Sequence, residues 1–242
     1  MAQLVLKKLE KCYLSMQTIG MKKMDKLYDK KIAVTGHTSG IGKEVFEYCQ
    51  FNGWNVRGYS RSNGFNIAED AGNTVINALL RWDVDVLFNN AWYPRVQCKI
   101  LKILHNQWKD EDKCIINSGS ATAYYPFNKD RVSEYEKDKR ELRDYCIASA
   151  KKYPWQNRCR VHNVSLGWVE TQLTGKDETF MSAYEAALIL VNLMQPQDYL
   201  VPELLVTSKG REPSHMKLLQ DRATDNMMES LDKTHEDLFS HA

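Results

Sequence analysis

Short apolar runs alternate with longer stretches of helical period from Lys31 onward. Ile32–Val34 reads as a strand, and the pattern Lys43–Phe51 reads as a helix after it. Trp54–Tyr59 predicts a second strand and Asn66-Ile67 a short third one, followed by a helix over Ala71–Trp82. Asp85–Asn89 is a continuous apolar run, of the kind a parallel sheet buries on both faces. Then come a helix over Val96–Trp108, a strand over Cys114–Asn117, a long helix over Arg131–Tyr153 and a strand over Arg160–Ser165. A helix over Ala183–Met194 and a last strand, Leu204–Thr207, complete the series. Strands alternating with helices predict right-handed βαβ units, so the fold class is α/β with a doubly wound parallel sheet.

Both ends depart from that pattern. Residues 1–30 carry seven lysines against three acids, with a rough helical stripe of Leu4, Leu6, Leu9, Tyr13 and Met16; they read as an N-terminal extension. From Glu212 the chain turns acidic, seven acids against three bases. There Met216, Leu219, Ala223, Met227 and Leu231 recur every three or four residues, which predicts a helical tail with one apolar stripe over 211–242. One catalytic domain over 31–210 lies between, with no repeat or linker.

Composition narrows the function classes. The 242 residues are 43% hydrophobic and 26% charged, and the net charge of +2 gives no reason to invoke nucleic acid. Six scattered cysteines without a CxxC pair read as reduced thiols in a reducing compartment. The sequence has no apolar run long enough for a transmembrane helix, so no membrane is expected and the cytoplasm is the expected location.

The chemistry begins at Thr35-Gly36-His37-Thr38-Ser39-Gly40-Ile41-Gly42, between the first strand and the first helix. A glycine-rich turn there sets backbone N–H groups and the positive end of a helix against a phosphate. Gly36 permits the turn, Gly40 lets the backbone approach a pyrophosphate and Gly42 lets helix and strand pack closely. Dinucleotide folds that select NAD place an acid after the second strand; here stand Ser60-Arg61-Ser62-Asn63. The guanidinium of Arg61 can fork onto a ribose 2′-phosphate, so NADP(H) is expected over NAD(H).

Tyr135 and Lys139, four apart in the long helix, share a face with Val132, Leu142 and Cys146. A lysine on that buried stripe is out of place unless paired. A lysine cation beside a phenol favours phenolate and is expected to lower the tyrosine pKa from about 10 towards neutral, as general acid/base work requires. A second pair, Tyr125 and Lys129, has Pro126 inside it and is not helical. Ser118-Gly119-Ser120 follows a strand at the carboxyl edge of the sheet, where ligands bind in open α/β folds, so a hydroxyl there can reach a substrate. Asn89-Asn90-Ala91 ends another strand at that edge, and Gly167-Trp168-Val169-Glu170-Thr171 follows the last long one.

In this order the turn, Asn89-Asn90-Ala91, Ser120, Tyr135-x-x-x-Lys139 and Gly167-x-x-x-Thr171 resemble the short-chain dehydrogenase/reductase family over residues 31–210. The resemblance implies a Rossmann fold, an NAD(P)(H)-dependent oxidoreductase and assembly as a homodimer or homotetramer. It implies catalytic roles for Ser120, Tyr135 and Lys139: serine binding the substrate carbonyl, tyrosine as acid/base, lysine tuning it and holding the nicotinamide ribose. It places Gly36, Thr38, Ser39, Gly40, Ile41, Gly42, Arg61, Asn66, Asn90, Ala91, Gly167, Val169 and Thr171 at the cofactor. Trp92 replaces a family glycine, and Leu166 the proline before Gly167. The stretch Trp92–Lys113 is shorter than the family's, truncating the helix that supplies a relay asparagine; Asn106 is its only asparagine.

The expected activity is hydride transfer between NADP(H) and a small carbonyl or alcohol substrate. The alternative is a nucleotide-binding regulatory or scaffold protein of the same fold with little turnover. Trp92, Tyr125 and Trp168 follow strand ends on the cofactor edge and are expected to line a slot for a flat or aromatic carbonyl compound.

Overall fold

The computed structural model describes residues 29–125, 132–152, 158–171, 174–175, 180–195 and 200–207. Nearly all of the expected extension, the whole expected tail, and the residues Pro126 and Lys129 lie outside the described residues. The elements in chain order are β1 (Ile32–Thr35), α1 (Gly40–Phe51), β2 (Val56–Tyr59), α2 (Asn73–Trp82), β3 (Val86–Asn89), α3 (Val96–Trp108) and β4 (Cys114–Ser118). They continue with α4 (Glu134–Lys152), β5 (Arg160–Leu166), β6 (Val169–Glu170), β7 (Met181–Ser182), α5 (Ala183–Met194) and β8 (Glu203–Val206).

Six strands form one parallel sheet in the order β2-β1-β3-β4-β5-β8. The register at β1 sets Ile32 beside both Val56 and Val86. All four β1 residues are buried because helices cover both faces. Alternation divides the core: Ile32 and Val34 join Val45, Cys49 and Leu190 under α1 and α5, while Ala33 faces Leu79, Leu101, Leu104 and Leu142 under α2, α3 and α4. The chain doubles back between β1 and β3, so the carboxyl ends of β1, β3 and β4 meet at one edge, with a crevice at the reversal of strand order.

One expected strand is absent. Asn66-Ile67 forms a turn, in which the Asn66 side chain accepts from the Ala68 N–H at 3.2 Å and donates to Glu69 at 2.9 Å. A two-residue run beginning with asparagine satisfies its backbone locally at less cost than in a ladder. β2 is therefore the sheet edge. The Asn63 amide covers part of it, donating to the Gly58 carbonyl at 2.7 Å and accepting from the Ser60 N–H at 2.9 Å. Among the described residues no helix is long and apolar enough to cross a membrane, and the five described cysteines are unpaired and buried.

Candidate active site

The glycine turn bends where the sequence places its glycines. Gly36 and Gly40 hold φ of +71° and +53°, left-handed values that side-chain-bearing residues rarely adopt. At Gly42 a Cβ would overlap the Gly36 carbonyl oxygen and stand 2.5 Å from Asn90 Nδ2. α1 therefore starts hard against the end of β1. Its N-cap, Ser39, makes no side-chain cap bond, and its first turn holds no acid. Among the described residues the positive end of α1 thus has neither a capping Ser39 side chain nor an acid in its first turn, as suits an anion site. Thr38 and Ser39 are exposed beside them, while Ile41 packs on the core.

Strand ends are laced together under the turn. Thr35 Oγ1 accepts from the backbone N–H groups of Asn90 and Ala91 at 2.9 and 3.0 Å. The Asn90 amide donates to the Thr35 carbonyl at 3.2 Å and accepts from Ser118 Oγ at 3.0 Å. Ala91 lies against Gly36, and Thr171 against Gly40, where its Cγ2 would be 3.3 Å from an added Cβ. The Gly167–Thr171 segment thus lies across the opening of α1, with Val169 buried in β6. This cradle fits a dinucleotide pyrophosphate. Arg61 is exposed in a single helical turn after β2. Asn66, which the resemblance places at the cofactor, commits its side chain to its own turn.

Ser120 and Tyr135, fifteen positions apart, come together at this edge, where the serine hydroxyl favours the Tyr135 phenolate. Ser120 also caps a short turn, its Oγ accepting from Thr122 Oγ1 at 3.0 Å. Lys139 is 3% exposed, and its ammonium donates to Gln97 Oε1 at 2.8 Å and to the Ser118 carbonyl at 2.6 Å. Its Nζ stands 5.2 Å above the centre of the Tyr135 ring.

The ionisations differ from the sequence expectation. Burial raises the Tyr135 phenol above its usual 10, opposed by the Ser120 hydrogen bond. Burial pushes Lys139 down to about 7. The lysine does not draw the phenol towards neutrality, because its proton donors are turned to Gln97 and Ser118 and its charge is itself costly in the core.

Of the aromatics expected near the slot, Trp92 stands against Tyr135, ring centres 5.0 Å apart and edge to face. Its indole N–H donates to Asp138 Oδ2 at 3.0 Å, and the Arg95 N–H meets the same oxygen at 2.8 Å. Tyr125 is exposed beside Tyr124, whose hydroxyl donates to Glu203 at 3.1 Å. Trp168 stacks on Phe180 at 5.2 Å. Tyr135 thus stands beside both Ser120 and Trp92.

Sequence reasoning missed Gln97 and Asp138. Gln97 shows as a polar residue at the head of an otherwise apolar helix stripe, and Asp138 lies inside the tyrosine–lysine spacing. Asn106, the lone asparagine of the shortened segment, is exposed on α3; Gln97 reaches the lysine instead.

Strand order, glycine turn and crevice define an α/β fold of the Rossmann type. More narrowly, the chain has the short-chain dehydrogenase/reductase fold. A 4-hydroxyisoleucine dehydrogenase complexed with NADH aligns with a TM-score of 0.64 and 16% identity over 75% of this chain and 98% of its own. A short chain dehydrogenase from Burkholderia cenocepacia J2315 in complex with NADP gives 0.60 and 17%, over 76% and 98%. A 3-ketoacyl-(acyl-carrier-protein) reductase from Brucella melitensis complexed with NADH gives 0.60 and 20%, over 76% and 98%. No protein-family model matches the sequence, and no curated protein does.

Proposed function

We propose that this protein is an NADP(H)-dependent oxidoreductase acting on a carbonyl/alcohol pair. The observation that carries this reading is the meeting of Ser120 and Tyr135 at the sheet edge that also carries the glycine turn. Solved structures of this fold hold NADH or NADP, which supports a nicotinamide cofactor. The turn Gly36–Gly42 and the opening of α1 would hold the pyrophosphate, with Asn90, Ala91 and Gly167–Thr171 around the rest. The bound nicotinamide would supply or accept the hydride.

The chain's own residues do the proton chemistry. A substrate carbonyl oxygen placed between the two hydroxyls accepts hydrogen bonds from Ser120 and Tyr135. Charge that develops on that oxygen during reduction is met by both donors, and Tyr135 gives up its proton to form the alcohol. A phenol raised by burial stays protonated at neutral pH, the form that donates a proton in carbonyl reduction. The unpaired, buried cysteines support a reducing location such as the cytoplasm.

Cofactor choice tests the assignment of Arg61. NADPH binds at least tenfold tighter than NADH, about 1.4 kcal/mol, and Arg61→Ala removes the difference. Calorimetric titration with both nucleotides reads this directly; equal affinities in the unmutated protein would refute the preference.

Trp92 shapes the substrate slot, because Asp138 pins its ring against Tyr135. Trp92→Gly lowers KM for bulky ketones relative to small ones and costs about 1–3 kcal/mol for the lost bond to a charged acceptor. A carbonyl panel with a melting curve checks it; unchanged substrate preference would make Trp92 packing alone.

A second reading is a nucleotide-binding protein with weak turnover. It is favoured by Lys139 being tied to Gln97 and Ser118. NADPH binding without its oxidation by any carbonyl in the panel would select it.

A further inference from the structure

Lys139 presents a problem that the oxidoreductase reading leaves open. A lysine at 3% exposure normally faces a carboxylate, because an ammonium in the core is otherwise costly. Among the described residues no ion pair to Lys139 is formed. Its acceptors are a backbone carbonyl, that of Ser118, and one side-chain amide, that of Gln97.

The orientation of that amide is fixed by its other bonds. Gln97 is fully buried, and its Nε2 donates to the Asn89 carbonyl at 2.6 Å and the Ser118 carbonyl at 3.2 Å. Asn89 Nδ2 returns a bond to the Gln97 backbone carbonyl at 3.0 Å. A flipped amide would set its oxygen against two carbonyls and its NH₂ against the ammonium. Oε1 therefore faces Lys139, and α3 is tied through it to α4 and to the ends of β3 and β4.

We propose that Gln97 is a positioning residue for Lys139: it holds the nitrogen over the Tyr135 ring with a neutral acceptor, so that Lys139 can shed its proton inside the folded site. The surrounding groups agree. On α4, Asp138 is committed to Trp92 and Arg95, and Tyr135 is a neutral phenol. On α3, the Cys98 thiol is pushed up to about 12 by burial and stays neutral, while Lys102 is paired with Glu141. From β4, among the described residues, the Ser118 carbonyl meets it. Burial then outweighs the attraction of Cys98 and Asp138 and takes Lys139 to about 7. The protonated form carries a positive charge beside Tyr135, and the neutral form does not. Loss of the proton breaks one N–H bond and releases H⁺ to solvent.

Any consequence for turnover rests on the oxidoreductase reading; the placement of Lys139 does not. The test follows the Lys139 side-chain NMR signal against pH in the full chain, assigned by its disappearance in Lys139→Met. Unmutated protein, Gln97→Met and Gln97→Glu are compared, with NADPH binding measured in parallel. Lys139 titrates near neutrality in the unmutated protein. Gln97→Met, which removes the acceptor, moves the midpoint down. Gln97→Glu, which supplies a counter-charge, moves it up by at least one pH unit, tenfold in proton affinity. If Gln97→Glu does not fold, the direction in Gln97→Met decides. An unmutated midpoint at the ordinary lysine value, or the same midpoint in folded Gln97→Met, overturns the proposal. The expected shifts without NADPH binding leave the proposal standing and remove the oxidoreductase reading.

Discussion

Tyr135→Phe lowers kcat for carbonyl reduction by about 100-fold or more while leaving NADPH affinity within a few-fold. The substitution keeps the ring, so the edge contact with Trp92 at 5.0 Å and the position of Lys139 over the ring survive. It removes the phenol proton donor that stands beside Ser120. Single-turnover NADPH oxidation separates this loss of chemistry from a loss of binding. Tyr125→Phe is the control: Tyr125 is exposed, and its rate should stay near that of the unmutated protein. Full activity in Tyr135→Phe would show that the proton comes from elsewhere.

Gly42→Ala abolishes tight cofactor binding, by about 100-fold or roughly 2.8 kcal/mol. A methyl group there meets the Gly36 carbonyl oxygen and Asn90 Nδ2. Neither neighbour gives way cheaply: one is backbone inside the turn, and the other holds Thr35 and Ser118 together. The first turn of α1 must move, and with it the N–H groups that would face the pyrophosphate. Gly175→Ala is the comparison. Gly175 has φ of +80° with open space around its Cβ, so alanine there costs only local strain of about 1–2 kcal/mol. NADPH titrations and melting curves of both variants test the contrast; equal effects on binding would mean that helix-to-strand packing at Gly42 does not set the cofactor site.

The order of elements was legible because its signals are local. Buried parallel strands must be apolar on both faces, so Ile32–Val34 and Asp85–Asn89 stood out as runs, and α3 and α5 declared themselves by helical period. The glycine turn was legible because left-handed backbone and close approach both require glycine, and Gly36, Gly40 and Gly42 meet those conditions. The share of Tyr135 and Lys139 in one helix face followed from the spacing of four. The short strand at Asn66-Ile67 was misread because two residues carry no periodicity and the asparagine side chain competes for the backbone.

Tertiary structure decided what these residues meet. That Lys139 would face Gln97 rather than an acid, that Asp138 would pin Trp92, and that burial would raise the Tyr135 phenol depend on the packing of α3 against α4. Those partners are separated by some forty positions in the chain, and no local pattern encodes which side chains a helix pair brings face to face. The sequence by itself determined the succession of strands and helices, the glycine turn and the shared face of tyrosine and lysine, because each follows from backbone geometry over a few residues. The charge state and orientation of the catalytic candidates were left to the fold, because desolvation and hydrogen-bond partners are properties of the packed interior.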